Sequence, residues 1–180
     1  MRQLESMEEA LIGELGNAVI FKALTIDELR LLQPICEEWE YARDEIIVTQ
    51  DSISRYLYIL LAGSVEVTVK GKEKETITIS TIQPGEVFGE ASIFMDVRRI
   101  ATVYAKEESR LLSISREKLF AFCNEHPKTG LKIFTFIIYS LLRRLDAVNQ
   151  DLAYERETSV TEEDLEALKN LFPVTLEDML

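Results

Sequence analysis

The sequence predicts an α+β protein in which a block of short strands lies between helices at both ends. From about Trp39 to Ser115 the hydrophobic residues alternate with polar ones or form short continuous runs. Before and after this block they recur at helical spacing instead. Seven or eight short strands separated by turn residues are typical of a β-sandwich or a barrel. A chain of 180 residues can bury a sizeable core for such an architecture.

Two helices are predicted ahead of the strands. The first covers residues 3–16, where helical spacing relates the apolar residues Leu4, Met7, Leu11 and Leu15. The second begins at Thr25, because Thr25 followed three residues later by Glu28 is a capping-box pattern. Pro34 is expected to end or kink this second helix, since proline lacks a backbone N–H and clashes with the preceding turn.

The predicted strands are short and follow one another closely. They cover residues 45–48, 56–61, 64–70, 76–82, 87–88, 101–105 and 110–115. The run 56–61 is continuously apolar, which indicates a buried strand, and the charged run 71–75 predicts a hairpin loop. Residues 91–96 are the one place inside the block where a helical turn fits. Tyr58 and Tyr104 are interpreted as ordinary strand aromatics.

Helices return after Arg116. A short helix is predicted at 117–124, and Pro127 is suited to be the first residue of a long one that covers Lys128 to Tyr154. The long helix carries a heptad repeat of apolar residues: Leu131, Phe134, Ile138, Leu141, Leu145, Val148 and Leu152. At about 40 Å it is longer than a small barrel needs for cover, so we expect its second half to pair with a second copy of the chain. The alternative is a single amphipathic helix on its own barrel. A further capped helix is predicted from Thr161.

The net charge of −12 is concentrated at the two ends of the chain. Residues 1–40 carry three basic and nine acidic residues, which gives −6, and residues 151–180 carry two basic and nine acidic residues, which gives −7. The segment 41–150 therefore sums to about +1 by subtraction. We expect no binding to nucleic acid, because a phosphate backbone selects the opposite charge. A small anion bound by the central segment remains compatible with this distribution.

Several other classes of function are disfavoured by the composition. No apolar run is long enough to span a bilayer, and the N-terminus lacks the apolar segment of a signal peptide, so we expect a cytoplasmic protein without a membrane partner. Cys36 and Cys123 form no spacing motif and are interpreted as buried free thiols. His126 is the single histidine, whereas a metal cupin normally needs several and a Ser-His-Asp or Cys-His site needs one near its nucleophile. Neither a metal site nor an enzyme is therefore expected.

The stretch from Pro84 to Ala105 has the features of a small anion site. Gly85 and Gly89 suggest a strand that ends in a tight turn, and Glu90 follows at once. A glycine turn that leads into a short helix leaves backbone N–H groups unpaired at the helix start, which suits an anion. Arg99, if it returns to the same place, would add a planar donor that matches a phosphate.

These residues resemble a known family. Phe88-Gly89-Glu90, followed after eight residues by Arg99-Ile100-Ala101-Thr102-Val103, is similar to the phosphate-binding cassette of cyclic nucleotide-binding domains of the catabolite activator protein and protein kinase A regulatory subunit type. Gly63 and Gly85 match two further glycines of the family. The resemblance spans roughly Phe21 to Leu152. It implies a β-roll, a jelly-roll-like double-stranded β-helix, flanked by N-terminal helices and a long C-terminal helix.

The resemblance also implies roles for individual residues. Glu90 would accept a hydrogen bond from the ribose 2′-hydroxyl, and Arg99 would pair with the cyclic phosphate. Backbone N–H groups would complete the phosphate site near Gly89, Ala91, Ser92 and Ile100. Asn149 on the long helix is the nearest candidate for a contact with the base, and an exposed helix residue is the alternative. Because Ile100 lacks a side-chain hydroxyl, the resemblance favours cAMP over cGMP as the ligand.

The sequence departs from the family pattern at four positions. Asp44 and Asp51 stand where the family has glycine, although aspartate tolerates the left-handed backbone conformation better than most residues. Arg98 stands in place of proline or a small residue, and the β-branched Ile100 in place of alanine, serine or threonine.

These departures leave two functional predictions open. The first is a cAMP-binding regulatory sensor that signals to an unknown protein partner through its C-terminal helices. The second is a degenerate β-roll that acts in protein interaction or dimerisation without nucleotide, with Arg99 and Glu90 paired in an empty pocket.

The resulting domain prediction has four parts. N-terminal helices occupy residues 1–36, and the β-roll occupies 37–116 with its cassette at 85–103. The C-terminal helices, including the long dimerisation or lid helix, occupy 117–155. An acidic helical tail occupies 156–180.

Overall fold

The structure, a computed structural model, describes residues 1–3, 8–71 and 75–158. The chain divides into two compact units, residues 1–140 and residues 141–180. The predicted helix from Thr161, the predicted helical positions Leu4 and Met7, and most of the predicted hairpin loop lie outside the described residues. The domain boundaries given above stay predictions.

Nine strands are present in the described ranges, and they form two antiparallel sheets. In chain order they are β1 (Arg2–Gln3), β2 (Glu37–Tyr41), β3 (Ile46–Val48), β4 (Tyr56–Ala62), β5 (Val65–Lys70), β6 (Thr76–Ile82), β7 (Val87–Phe88), β8 (Thr102–Ala105) and β9 (Ser109–Ser115). The five-stranded sheet has the order β1-β2-β9-β4-β7, and the four-stranded sheet has the order β3-β8-β5-β6. The predicted fold class is confirmed: a β-roll of two sheets flanked by helices.

Strand β2 was not among the predicted strands. Three of its five residues are glutamates, which are depleted in strands, so the sequence pattern is weak there. The strand forms because it pairs with β9 along its whole length, from Glu37 opposite Ser113 to Tyr41 opposite Ser109. Tertiary pairing overrides the local propensity here.

The helices are α1 (Glu8–Leu15), α2 (Ile26–Leu32), α3 (Ala91–Phe94), α4 (Arg116–Glu125) and α5 (Pro127–Thr158). The predicted capping box is confirmed, since the Thr25 N–H donates to Glu28 Oε2 at 2.7 Å and the Glu28 N–H donates to Thr25 Oγ1 at 3.3 Å. Helix α2 ends at Leu32, and Pro34 lies in the 3-10 turn that follows. Helix α5 begins at Pro127 as predicted and runs four residues beyond Tyr154.

Two apolar clusters form the core, and β4 contributes to both. Leu57 and Ile59 point to the outer face of the five-stranded sheet, where helical residues cover them, among them Leu15, Leu32, Leu119, Ile133 and Ile137. Tyr58 and Leu60 point to the opposite face, into a cluster with residues of both sheets that include Val65, Phe88, Val103 and Leu111. Because side chains alternate along a strand, a strand buried on both faces reads as a continuous apolar run.

The aspartates that replace two family glycines adopt the expected conformation. Asp44 and Asp51 both have a φ of 65°, in the left-handed region. Each also fixes a turn: the Asp44 N–H donates to the Ala105 carbonyl and the Asp51 N–H donates to the Arg99 carbonyl, both at 2.8 Å. The prediction that aspartate preserves the fold at these turns is confirmed.

Helix α5 packs on the β-roll through residues outside its heptad repeat. Ile133 and Ile137 are fully buried, whereas the heptad residues Leu131 and Ile138 are 69% and 55% exposed. At its start, Gly130 lies against Cys123 of α4, and a Cβ atom at position 130 would lie 2.9 Å from the Cys123 sulfur. In the second unit the heptad residues remain exposed as well: Leu141, Leu145 and Val148. No helix in the described ranges is long and apolar enough to cross a bilayer.

Candidate functional site

The cassette begins with a close approach between Gly89 and Arg99. Gly89 has a φ of +84°, and a Cβ atom built on it would lie 2.5 Å from Arg99 Nη1 and 2.7 Å from the Tyr56 carbonyl oxygen. A side chain at position 89 would therefore collide with both groups and strain the backbone. Glycine is required here because the arginine lies directly against the turn.

Arg99 is buried, with 6% of its surface exposed, and three residues outside the cassette surround it. Its Nη2 donates to the carbonyl oxygen of Tyr56 at 2.8 Å and to Ser54 Oγ at 3.0 Å. The centre of the guanidinium lies 5.8 Å from the centre of the Tyr58 ring. That ring is in turn stacked on Phe88, with ring centres 5.0 Å apart and an interplanar angle of 12°.

The charge of Arg99 is only partly compensated by these contacts. Ser54, Tyr56 and Tyr58 are neutral, and Arg99 Nε is buried with no hydrogen-bond partner among the described residues. Burial lowers the pKa of the guanidinium from its usual value, whereas Tyr58 and Glu90 oppose that shift electrostatically. A buried cation in this condition gains free energy from an anion that supplies the missing hydrogen-bond acceptors.

Glu90 lies at the N-terminal end of α3 and is 6% exposed. The structure brings it near Arg99, on which it acts electrostatically. The predicted alternative was a closed ion pair between these two residues. The hydrogen bonds of the Arg99 guanidinium described above go to Ser54 and Tyr56. Strand β4 and the loop before it therefore set the position of the guanidinium.

The predicted backbone donors lie at the start of α3 and beside Arg99. Ser92 is buried, and its N–H donates to the Gly89 carbonyl at 3.2 Å, so this donor already has a partner in the turn. Ala91 is exposed at the first position of α3. Ile100 is 76% exposed, so most of this residue faces solvent.

The loop at residues 51–54 is bound to the cassette from both sides of Arg99. The Arg99 N–H donates to the Ser52 carbonyl at 2.9 Å, and the Arg99 carbonyl accepts from the Asp51 N–H. Arg98, which replaces a small residue of the family, donates through Nη1 to the Asp51 carbonyl at 2.9 Å. The unusual Arg98 thus contacts the loop through this bond.

Sequence reasoning did not identify the residues that hold Arg99. Tyr58 was interpreted as an ordinary strand aromatic; it lies in a strand, and its ring also supports the guanidinium. Ser54 carried no signal at all. A short motif search could not have found either, because they precede Arg99 by more than 40 residues and meet it only through the sheet pairing of Tyr58 with Phe88.

The end of α3 is connected to α4 and α5. Phe94 contacts Phe134 of α5 with ring centres 5.5 Å apart, and Phe134 contacts Phe120 of α4 at 5.7 Å. Asp96, just after α3, accepts from Arg116 at the start of α4 at 2.8 Å and from Arg55 at 3.1 Å. The segment that follows the cassette turn is therefore in direct contact with both helices.

Two further predictions concern a contact with the base and the absence of a metal site. Asn149 is an exposed residue of the second unit, so its contact with a base stays a prediction. Within the described ranges, no group of three or more His, Cys, Asp and Glu residues is arranged to hold a metal ion.

Comparison with known proteins identifies the domain that carries the cassette. Residues 38–126 match the family model of the cyclic nucleotide-binding domain, whose members are regulatory and not catalytic. The chain is 26% identical over 122 residues to the cAMP-dependent protein kinase regulatory subunit of Blastocladiella emersonii, covering 68% of this chain and 30% of that protein. It is 29% identical over 105 residues to the cyclic GMP-binding protein C of Dictyostelium discoideum, covering 58% of this chain and 4% of that protein.

The fold is shared with a solved structure. A cyclic nucleotide-binding domain from Methylobacillus flagellatus superposes on 89% of this chain and 90% of its own, with a TM-score of 0.79 and 21% identity. The chain spans less than a third of the length of the two relatives named above. Residues 38–126 of this chain are therefore a cyclic nucleotide-binding domain.

Proposed function

We propose that the protein is a cyclic nucleotide sensor that binds cAMP in preference to cGMP and has no catalytic activity of its own. The cyclic phosphate binds to Arg99, and the ribose 2′-hydroxyl donates to Glu90. Backbone groups complete the phosphate site near Gly89, Ala91, Ser92 and Ile100. The observation that carries the proposal is the buried Arg99, whose guanidinium hydrogen bonds go to neutral groups and whose Nε has no described partner.

The preference for cAMP rests on Ile100. A side-chain hydroxyl at this position, beside the phosphate-binding arginine, would offer a guanine base a hydrogen bond that isoleucine does not provide. Asn149 is the proposed contact for the base from the long helix. The relatives include one named for cAMP and one named for cGMP, so the preference depends on the site itself.

The proposed signal leaves the site through α3. Nucleotide binding fixes the cassette, and Phe94 passes its position to Phe134 of α5 and thereby to Phe120 of α4. Such a mechanism requires that the nucleotide bind two arrangements of these helices with different affinity. A protein partner in the cytoplasm would then read the arrangement of the helices, and the second half of α5 would pair with a second copy of the chain.

Isothermal titration calorimetry with cAMP and cGMP tests the proposal. Wild-type protein should bind cAMP more tightly than cGMP, and Arg99→Ala should weaken cAMP binding by roughly tenfold or more, because hydrogen bonds to a charged group contribute about 1.5–3 kcal/mol. Arg43→Ala is the matched control: it removes the same charge at an exposed site paired with Asp44, and should bind as wild type does. Absence of heat and of a thermal shift with wild-type protein at millimolar nucleotide would overturn the proposal.

The alternative function is a β-roll that dimerises or binds a protein without nucleotide. The exposed heptad residues of α5 favour it, since they suit a partner helix whether or not the cassette is occupied. Wild-type protein that sediments as a dimer and binds neither nucleotide would support this function instead.

A further inference from the structure

Two residues outside the cassette hold the guanidinium of Arg99 in place. Ser54, in the loop before β4, accepts a hydrogen bond from Arg99 Nη2 at 3.0 Å. Tyr58, within β4, presents its ring to the guanidinium at 5.8 Å. Together with the Tyr56 carbonyl at 2.8 Å, they form a set of contacts that we call the neutral clamp.

The two side chains of the neutral clamp are themselves connected. Arginine only donates hydrogen bonds, so Ser54 Oγ accepts from it and keeps its own proton. Burial raises the pKa of the Tyr58 phenol, and a side-chain hydrogen bond with Ser54 opposes that shift. One hydroxyl thus relates the position of the arginine to the position of the ring beneath it.

The ring of Tyr58 is in turn fixed to the cassette. It stacks on Phe88, which pairs with Tyr58 across β4 and β7 and directly precedes Gly89 and Glu90. The orientation of Arg99 is therefore set relative to the turn that bears the backbone donors. A displacement of Tyr58 would move the guanidinium away from those donors.

We infer that Ser54 and Tyr58 are positioning residues that orient Arg99 toward an anion without neutralising it. A carboxylate in the place of Ser54 would hold the guanidinium as firmly, but it would compete with the anion for the charge. The neutral contacts of Ser54 and Tyr58 fix the geometry and add no negative charge beside the guanidinium, on which Glu90 already acts electrostatically. The identity of the anion as the phosphate of a cyclic nucleotide rests on the proposed function, whereas the orientation of Arg99 does not.

The first experiment compares substitutions at position 54 by calorimetry with cAMP and by thermal unfolding. Ser54→Ala should weaken cAMP binding by about 5- to 20-fold, as expected for the loss of one charge-assisted hydrogen bond, and Ser54→Thr, which keeps the hydroxyl, should restore most of it. Ser54→Asp should weaken binding by about tenfold or more while the melting temperature stays at or above that of wild type. Ser52→Ala is the control, because its hydroxyl contacts the Thr49 carbonyl in the same loop.

The ring is tested separately from its hydroxyl. Tyr58→Phe keeps the aromatic face below Arg99 and should lose less affinity than Tyr58→Leu, which removes it. In the Arg99→Ala background, Ser54→Ala should cause no further loss, because its effect acts through the arginine. If Ser54 acted in folding alone, Ser54→Ala would lower the melting temperature in both the wild-type and the Arg99→Ala background. Ser54→Asp would then not lose cAMP affinity while it kept its melting temperature.

A second measurement does not depend on nucleotide. NMR signals of the Arg99 guanidinium in the free protein should show restricted rotation in wild type and averaging in Ser54→Ala. If wild-type protein binds no nucleotide, the proposed function fails, and these spectra alone decide the inference. Identical guanidinium signals in the two proteins, or unchanged cAMP affinity of Ser54→Ala in a protein that does bind, would overturn it.

Discussion

Gly89 and Arg99 are in such close contact that a Cβ atom on the glycine would lie 2.5 Å from the arginine Nη1. This contact joins the two ends of the cassette, which are separated by the whole of α3. The turn and the guanidinium therefore form one unit, and a change in either should disturb both folding and binding.

Gly89→Ala should lower the free energy of unfolding by about 1–3 kcal/mol, since it adds a side chain at a φ of +84° and displaces Arg99. Gly13→Ala is the matched control, because Gly13 lies in α1 with no atom within 4 Å of an added Cβ. That control should be stabilised by about 0.5–1 kcal/mol. Urea unfolding measures both, and equal stability of Gly89→Ala and wild type would contradict the described contact.

A second prediction concerns Glu28, which joins α2 to α5. Its carboxylate accepts from Lys132 Nζ at 2.8 Å, from the Thr25 N–H at 2.7 Å and from Thr129 Oγ1 at 3.0 Å. These hydrogen bonds, first that of Lys132 and then that of Thr25, lower its pKa to about 2. A carboxyl group whose pKa is lowered by folding stabilises the protein above its ordinary pKa of 4.5 and loses that contribution as the pH falls toward 2.

Glu28→Gln isolates this charge, because glutamine can still complete the capping box with Thr25. The variant should be less stable than wild type by about 1.5–3 kcal/mol at pH 7, and the difference should shrink between pH 4.5 and pH 2. Urea unfolding across this range gives the measurement. Asp27→Asn, at an exposed position of the same helix, should show a much smaller effect, and a pH-independent difference for Glu28→Gln would refute the assignment.

A third prediction concerns Glu38, whose pKa is raised by folding, whereas that of Glu28 is lowered. Its side chain is 3% exposed beside Arg110 Nε at 3.4 Å, and burial raises its pKa, with Arg110 opposing the shift and Glu14 and Glu40 adding to it. A carboxyl group whose pKa is raised by folding costs stability once it ionises, so the wild type loses stability as the pH rises from the ordinary pKa through the raised one.

Glu38→Gln should therefore raise the melting temperature at pH 8, and the gain should diminish as the pH approaches the ordinary range of a carboxyl group. Glu37→Gln is the control, because Glu37 is adjacent to Glu38 on β2 and forms a surface ion pair with Lys118. Loss of that ion pair should change stability by less than about 1 kcal/mol. A Glu38→Gln protein less stable than wild type at pH 8 would show that the Arg110 contact outweighs the burial.

The fourth prediction concerns the exposed heptad residues of α5. Leu141→Glu combined with Leu145→Glu should convert the proposed dimer to a monomer in sedimentation velocity, because charges in a helical interface are costly to bury. Ile26→Glu is the control, since Ile26 is 57% exposed at the start of α2, where an acidic residue is tolerated. An unchanged mass of the double variant relative to wild type would refute dimerisation through α5.

Much of the fold could be predicted because short local patterns in the sequence specify its elements. The run 56–61 predicts a doubly buried strand, Thr25 and Glu28 predict a helix start, and the structure contains both. In each case the signal lies within a few residues of the element that it specifies.

The missing parts depend on contacts between distant segments. Strand β2 forms against β9 in spite of its glutamates, and nothing in residues 37–41 alone indicates a partner. The cassette motif identified Arg99 but not Ser54 or Tyr58, because the register of β4 against β7 brings them together. The spacing within the motif holds no information about that register.

Asp51 has a consequence for the thermodynamics of binding. Its N–H and its carbonyl bond to Arg99 and Arg98, while its φ of 65° is one that glycine would adopt more easily. A glycine would also leave the unfolded and partly open loop many more conformations, whereas aspartate restricts them. The loop is thus preorganised by the residue that departs from the family pattern. Part of the entropy that a flexible loop would lose on capturing an anion is already lost when this protein folds.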